Sequence, residues 1–544
     1  MDRHSRRRAR TDLGQAEHIA PKSSLEISRA GLDKRLIALL LLCLILLLPS
    51  LSFASPTVTS IRWTNQQDKL RIVFDLTEIP TIEISSSESF FKVTMQNTKM
   101  ADDVTNVQEI TDEVVSYVAA DYWQDALNIG IFLRYPIKTS FFILTNPNRL
   151  VVDIGKEFTR ISNYQNYARG LDFVEIERGS TRGVAEAHAL IIDPKYFELR
   201  PALAADELGA NVIQSVGTLL GSVLSGSETN KIGFSRNKVS RIVKRERAIA
   251  GMNGTYFAPD GRPLGILMID KNLVSLPILD RTALAITKNN RYFIDSFLSD
   301  NYIMLGDESN GSAKRFELNW YNEARGDNGI AIYSSVYGPS TGTDNSGLEL
   351  TIEDGEITKI QPGNSVIPDD GFVVSATGAP IAVLTDLAQE GTPITINLNL
   401  LAFSMPNLGN DEVVHLIAGG PRLLKDGQPY VTKQSESFQR DVSQNRAARS
   451  AVGITQDNKL ILITIDGPQR KRRLRSITGT EKSLGMTLEE LSDLLLYLGA
   501  TEAVNLDGGS SSTLVLNNQI LNSPVLGGEA KVSNALLVFP RKLK

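Results

Sequence analysis

The sequence predicts a chain in two parts, an N-terminal all-β sandwich followed by a larger α+β domain. Three observations carry this. Residues 57–155 break into short runs that alternate apolar and polar residues, among them "DKLRIVFDL", "FFKVTMQN" and "LNIGIFLRY", and a period of two marks half-buried strands. Beyond about residue 176 similar runs mix with helical spacing, clearest in "TLEELSDLLLYLGA" (Thr487–Ala500). At 544 residues the chain also exceeds what one hydrophobic core organises.

The first 35 residues hold nine Lys/Arg against five acids and lead straight into the uncharged run Leu36–Leu48. Such a run is short for a bilayer span and suits a secretory leader, and Ser52-Phe53-Ala54 offers a small-x-small cleavage site. Residues 1–54 are therefore expected to be a signal peptide or, if uncleaved, an N-terminal anchor touching the membrane only through residues 36–48. The basic flank stays cytoplasmic, so the remainder is expected to be extracytoplasmic, in a bacterial cell envelope or secreted. Cys43 is the only cysteine and lies in this segment, which leaves no disulfide or thiol chemistry beyond it. Past the basic head, 48 Lys/Arg face 57 Asp/Glu, a balance that disfavours a nucleic-acid partner.

Within residues 55–157, "LRIVFDL" (Leu70–Leu76) and "RLVVDI" (Arg149–Ile154) share the order Arg-apolar-Val-apolar-Asp-apolar. The segment "NPNRLVVDI" (Asn146–Ile154), with its upstream echo, resembles the AMIN domain, a β-sandwich of bacterial envelope proteins. That resemblance implies a cell-wall polymer as partner of the N-terminal domain. Residues 158–175, with the Tyr/Asn-rich "TRISNYQNYARG", read as a linker to a domain over 176–544. Inside that domain Thr487 is expected to cap a helix and Glu490 to complete a capping box. Leu488, Leu491, Leu495 and Leu498 form its apolar stripe, and Gly499 ends it.

Beyond the head only His188 and His415 remain, and no Gly-x-Ser-x-Gly elbow occurs. A zinc centre of His and Cys lacks ligands, so the chemistry rests on carboxylates, hydroxyls, amides and arginines. Four glycine-rich stretches place a polar residue where an apolar strand meets glycine: Asn253, Arg422, Asp466 and Asp507. Residues 259–261, 425–427 and 457–458 read as ordinary turns. "VNLDGGSSSTLVLNN" (Val504–Asn518) does not, because a turn gains nothing from so many small residues. A phosphate or sugar gains a nest of N–H and hydroxyl donors.

The blocks "NGTYFAPDGRPLGILM", "GGPRLLKDG", "RSAVGITQDNKLILITIDG" and "NLDGGSSSTLVLN", in that order, resemble the phosphodiester glycosidase family over roughly residues 176–544. One departure is Ala448-Arg449-Ser450, where the family usually has Pro-Arg-Thr; the Arg and a hydroxyl are kept. The resemblance implies hydrolysis of a sugar-1-phosphodiester at the anomeric carbon, giving free sugar and a phosphomonoester, and no cofactor is expected. It makes Asp507 and Asp466 the candidate base and charge stabiliser. Arg422 and Arg449 become candidates for the phosphate, with Asn253, Asn505, Gly508, Gly509, Ser510 and Ser511 orienting the phosphorylated glycan. Each Asp could instead cap a turn, and each Arg could serve a structural salt bridge. Calcium could lie between two such carboxylates, although no EF-hand spacing supports it. The alternative to an enzyme is a non-catalytic cell-wall or exopolysaccharide binding or assembly protein.

Overall fold

Alternation of the kind read above builds two five-stranded sheets from the N-terminal part of the chain. The computed structural model describes residues 55–204, 233–404, 412–468 and 483–542, apart from positions 67, 88, 111, 113, 136, 181, 182, 308 and 310. The expected leader lies outside these residues, and among the described residues no helix is long and apolar enough to cross a membrane. One sheet orders Lys99–Met100, Thr57–Asn65, Lys69–Leu76, Arg149–Gly155 and Thr139–Leu144; the other orders Ile82–Ser87, Phe90–Gln96, Ala126–Leu133, Val115–Trp123 and Val107–Glu109. Leu70, Ile72 and Phe74 of the first meet Val93, Met95, Ile129 and Ile131 of the second in one core. Burying such side chains contributes roughly 1.5–3 kcal/mol each.

The internal echo has a physical outcome. Its two copies are neighbouring antiparallel strands, so Arg71 faces Asp153 and Arg149 faces Asp75. Reversing the same Arg-to-Asp order brings opposite charges together at both ends. Arg71 donates to both oxygens of Asp153 at 2.7 and 2.8 Å, and this pairing holds the Asp153 carboxyl below the usual range against the opposing effect of burial.

The stretch expected to link the two parts is a strand. Phe158–Ala168 pairs antiparallel with Leu171–Ser180 along its length. Its polar residues reflect an exposed edge strand rather than an irregular connection. The sheet of the second part therefore begins at Phe158, ahead of residue 176, and has eight strands in the order Phe158–Ala168, Leu171–Ser180, Gly183–Ile192, Leu460–Ile465, Arg449–Thr455, Ala500–Asn505, Arg422–Lys425 and Gln428–Pro429.

A five-stranded sheet (Phe197–Leu203, Asn534–Pro540, Ala250–Asn253, Leu514–Leu516, Gln519–Ile520) shares a core with it. Leu190, Leu462, Val452 and Val504 meet Met252, Leu514 and Leu536 there. Two further sheets, built from residues 267–305 with 314–317, 394–402 and 413–418 and from residues 320–377, pack around a second core containing Leu416, Ile332 and Val374. Helices are few among the described residues, and the longest is Leu488–Tyr497, so the expected α+β character reduces to short helices on a mostly β scaffold.

That helix follows its expected pattern. Thr487 Oγ1 accepts the Glu490 N–H and Glu490 accepts the Thr487 N–H, a complete capping box. Leu488, Leu491, Leu494 and Leu495 are buried against the eight-stranded sheet, while Leu498 is the C-cap and Gly499 has φ +88°, a conformation that favours glycine. Thr487→Ala should lower stability by about 1 kcal/mol, read as a fall in the urea midpoint with an unchanged slope.

Candidate active site

Strand ends converge where the eight-stranded and five-stranded sheets face each other. Antiparallel register puts residues 186, 188, 190 and 192 on one face of their strand and Thr464 directly opposite His188. The same face carries Ser450, the partner of Thr464 on the next strand. Apolar members of this face fill the shared core; the polar members stand together at one end of it. Asn253 closes one strand of the opposite sheet, Asp466 follows Leu460–Ile465, and Asp507 follows Ala500–Asn505.

Asn253 is completely buried and joins three segments. Its Nδ2 donates to the Asp507 carbonyl at 2.6 Å, and its Oδ1 accepts the Ser450 hydroxyl at 2.8 Å and the Thr513 N–H at 3.1 Å. Asn505 Nδ2 donates to the Tyr256 hydroxyl at 2.8 Å, the Gly420 carbonyl at 3.1 Å and the Leu506 carbonyl at 2.7 Å, and the Tyr256 hydroxyl in turn donates to the Gly420 carbonyl at 2.9 Å.

Space accounts for the glycines of the Asp507 turn. A Cβ on Gly508 would lie 2.9 Å from the Ala448 carbonyl oxygen, and one on Gly467 would lie 2.6 Å from the Ala448 nitrogen. Gly509 has φ +60° and starts the 3-10 turn Gly509–Ser511, with its N–H donating to the Ala448 carbonyl at 2.8 Å. The backbone thus wraps closely around Ala448.

Asp507 has the most functionally suggestive electrostatics of the expected set. Desolvation pushes its carboxyl up to about 6, against the opposing pull of hydrogen bonds from the Ser511 hydroxyl and the Gly508 N–H. The Tyr256 phenol is pushed well above its ordinary value by burial and by the charge of Asp507, with Arg449 and Arg281 acting in the opposite direction. Ser510 sits partly exposed in the same turn.

Asp466 stands in a different arrangement. It is almost wholly buried; Oδ2 lies 3.2 Å from His188 Nε2 and Oδ1 accepts the Ser523 N–H at 2.9 Å. Glu186, His188 and Asp466 offer ligand atoms all within 4.8 Å of one another, a mixed oxygen and nitrogen set of the type divalent ions accept. Glu186 and His188 are two residues apart on one strand, a grouping visible only once Asp466 is known to follow the neighbouring strand.

Both arginines expected at a phosphate have protein partners. Arg422 forms an ion pair with Glu502, and its Nε donates to the Leu424 carbonyl at 3.1 Å. The sequence separation hides this pair, because Glu502 arrives on the adjacent strand. Arg449 donates to the carbonyls of Met486, Val442 and Asn445 at 3.1, 2.9 and 2.6 Å, pinning the chain on both sides of the site.

Two aromatic residues and one cation were not singled out in the sequence. Tyr256 lies inside the quoted "NGTYFAPDG", but nothing there distinguishes it from a core tyrosine. Arg281 and Phe438 have no glycine signal around them. In the structure the Arg281 guanidinium lies 4.3 Å from the Phe438 ring centroid and 5.8 Å from that of Tyr256, whose rings are themselves 5.5 Å apart.

Residues 346–539 match the phosphodiester glycosidase family model. The match takes in Arg422, Arg449, Asp466, Asn505 and the Asp507 turn, and stops short of Asn253, Tyr256 and Arg281 on the N-terminal side. Similar curated proteins are the N-acetylglucosamine-1-phosphodiester alpha-N-acetylglucosaminidases of Mus musculus, 29% identical over 172 residues, and Bos taurus, 32% identical over 120 residues. These alignments cover 30% and 20% of this chain, and the same shares of the two relatives, so the chain spans less than a third of either relative. A hypothetical protein from Synechocystis, 22% identical, shares the fold with a TM-score of 0.55 over 90% of this chain and 81% of that one.

The raised pKa of Asp507 generates a stability test. The folded chain holds this proton up to about pH 6, whereas an ordinary Asp releases it near 3.8. Its contribution to stability is therefore fully present below pH 3.8 and is lost as pH rises through about 6. Asp507→Asn removes the ionisation. The stability of this variant relative to wild type should rise by on the order of 1–3 kcal/mol from low to neutral pH, measured by urea unfolding at each pH.

Proposed function

We propose that this protein is an extracytoplasmic hydrolase that cleaves the glycosidic bond of a sugar-1-phosphodiester in an envelope or extracellular glycan. In this reading the N-terminal sandwich is AMIN-like and holds the enzyme to a cell-wall polymer. The observation that carries the reading is the Asp507 carboxyl, desolvated to a pKa of about 6 on a turn of glycines and hydroxyls within the segment that matches the phosphodiester glycosidase family.

A carboxylate with that pKa is ionised at neutral pH and is a stronger base than an ordinary Asp, close to the optimum for taking a proton from an attacking water. The departing phosphomonoester is a weak base, so its release asks less of a general acid than an alkoxide would. Ser511 and the Gly508 N–H fix the carboxylate's direction, and Asn253 fixes the backbone that carries it. Asp466, whose oxygens are engaged by His188 and Ser523, is the second carboxylate of the site and supplies negative potential while charge develops on the sugar.

Purified full-length chain should release reducing sugar from one member of a panel of α- and β-sugar-1-phosphodiesters. Asp507→Asn should reduce kcat/KM by roughly 100-fold or more, and the wild-type rate should rise with pH through about 6. Measurable binding with no turnover of any member would instead favour the non-catalytic wall- or exopolysaccharide-binding role.

A further inference from the structure

We propose that Arg281, stacked on Phe438 beside Tyr256, is the cation that receives the phosphate group of the ligand; this rests on the phosphodiester reading above. The assignment follows from which charges in this region have partners. Arg422 is paired with Glu502, and Arg449 is spread over three carbonyls. The Arg281 guanidinium makes no hydrogen bond or ion pair among the described residues, and its Nε is buried without an acceptor. An arginine whose donors lack acceptors is costly, and Arg281 as a whole is only half-buried, so a ligand oxygen can meet the guanidinium at its open nitrogens.

The nearby acids do not compete for it. Glu436 is buried and spends its carboxylate on four donors: the Thr282 N–H at 3.0 Å, the Thr282 hydroxyl at 2.8 Å, the Arg422 N–H at 2.9 Å and the Thr432 hydroxyl. This arrangement anchors Thr282, the residue next to Arg281, to the segment that carries Phe438. Asp507 is held by Ser511 and Gly508 and has no cation pulling its carboxyl down.

The geometry suits a phosphate oxygen pair. The guanidinium carbon lies over the Phe438 ring, 4.3 Å from its centroid, which holds the group in place, and a guanidinium takes phosphate oxygens through in-plane, bidentate donors. Tyr256 connects this cation to the turn of Asp507, with its ring beneath Arg281 and its hydroxyl on Asn505. In a sugar-1-phosphodiester the phosphorus stands two bonds from the anomeric carbon, through the glycosidic oxygen, so a cation for the phosphate belongs close to the carboxylate that acts at that carbon.

Calorimetry on the full chain with inorganic phosphate, N-acetylglucosamine 1-phosphate and uncharged methyl N-acetylglucosaminide tests this. Wild type should bind the sugar phosphate more tightly than the methyl glycoside, with affinity falling as salt rises. Arg281→Gln should weaken sugar-phosphate binding by about 10- to 100-fold and leave the methyl glycoside unchanged. Arg281→Lys, which keeps the charge without the planar fork, should fall between them. It decides the matter if Arg281→Gln fails to fold, since wild-type affinity in Arg281→Lys would overturn the assignment. Wild-type sugar-phosphate affinity in a folded Arg281→Gln would also overturn it while leaving the phosphodiester reading intact. Failure of wild-type chain to prefer either phosphate over the methyl glycoside would remove both.

Discussion

The site depends on one buried carboxamide. Asn253 ends a strand of the five-stranded sheet, yet its side chain satisfies Ser450 on the eight-stranded sheet and both flanks of the Asp507 turn, at the Asp507 carbonyl and the Thr513 N–H. Hydrogen bonds of this kind contribute modestly when made and are expensive when one partner is lost in the interior. Removing Asn253 would strand three groups in two sheets at once. Its neighbour tightens the same junction: a Cβ on Gly254 would lie 1.9 Å from Asn534 Oδ1, the atom that accepts the Thr255 N–H. Only a residue without a side chain lets the two strands approach so closely, and the Gly254 carbonyl itself accepts the Asp507 N–H at 3.2 Å.

Legibility in the sequence tracked the range of the interaction. The capping box at Thr487 and Glu490 spans three residues, and its residue types announce it. The Arg-to-Asp echo was visible as a repeat, while its meaning, an Arg71–Asp153 ion pair between the copies, required knowing that the two copies are adjacent and antiparallel. The glycine-rich strand ends were legible because close backbone approach, as at Gly508 and Gly467 around Ala448, leaves glycine as its trace. The stretch 159–170 misled because the polarity of an exposed edge strand is the same signal that a linker produces.

The arginines show where residue type stops informing. Arg422 stands beside glycines and a strand, the pattern of a ligand-binding cation, but strand register brings Glu502 to it. Arg281 lies in a loop with no pattern at all, and what distinguishes it is that its guanidinium has no hydrogen-bonding or ionic partner among the described residues. A partner's absence cannot be read from spacing. Nor could the Glu186, His188 and Asp466 grouping be read from the histidine count alone, since its third member, Asp466, follows a neighbouring strand far away in the chain.

The unpaired cation and the desolvated carboxyl belong to one arrangement. Had Arg281 reached Asp507 directly, the ion pair would have pulled the carboxyl below its ordinary value and used up the guanidinium. Tyr256, which contacts both the cation and the residues before the Asp507 turn, is held at both ends. Its hydroxyl is fixed between Asn505 and the Gly420 carbonyl, and its ring lies against Phe438 and Arg281. The two sheets that carry the site are joined by the apolar layer in which Val452, Leu462 and Val504 pack against Met252 and Leu514. Under the proposed reading, a ligand with an anionic group on a sugar satisfies Arg281 without neutralising Asp507, so binding and base strength need not compete.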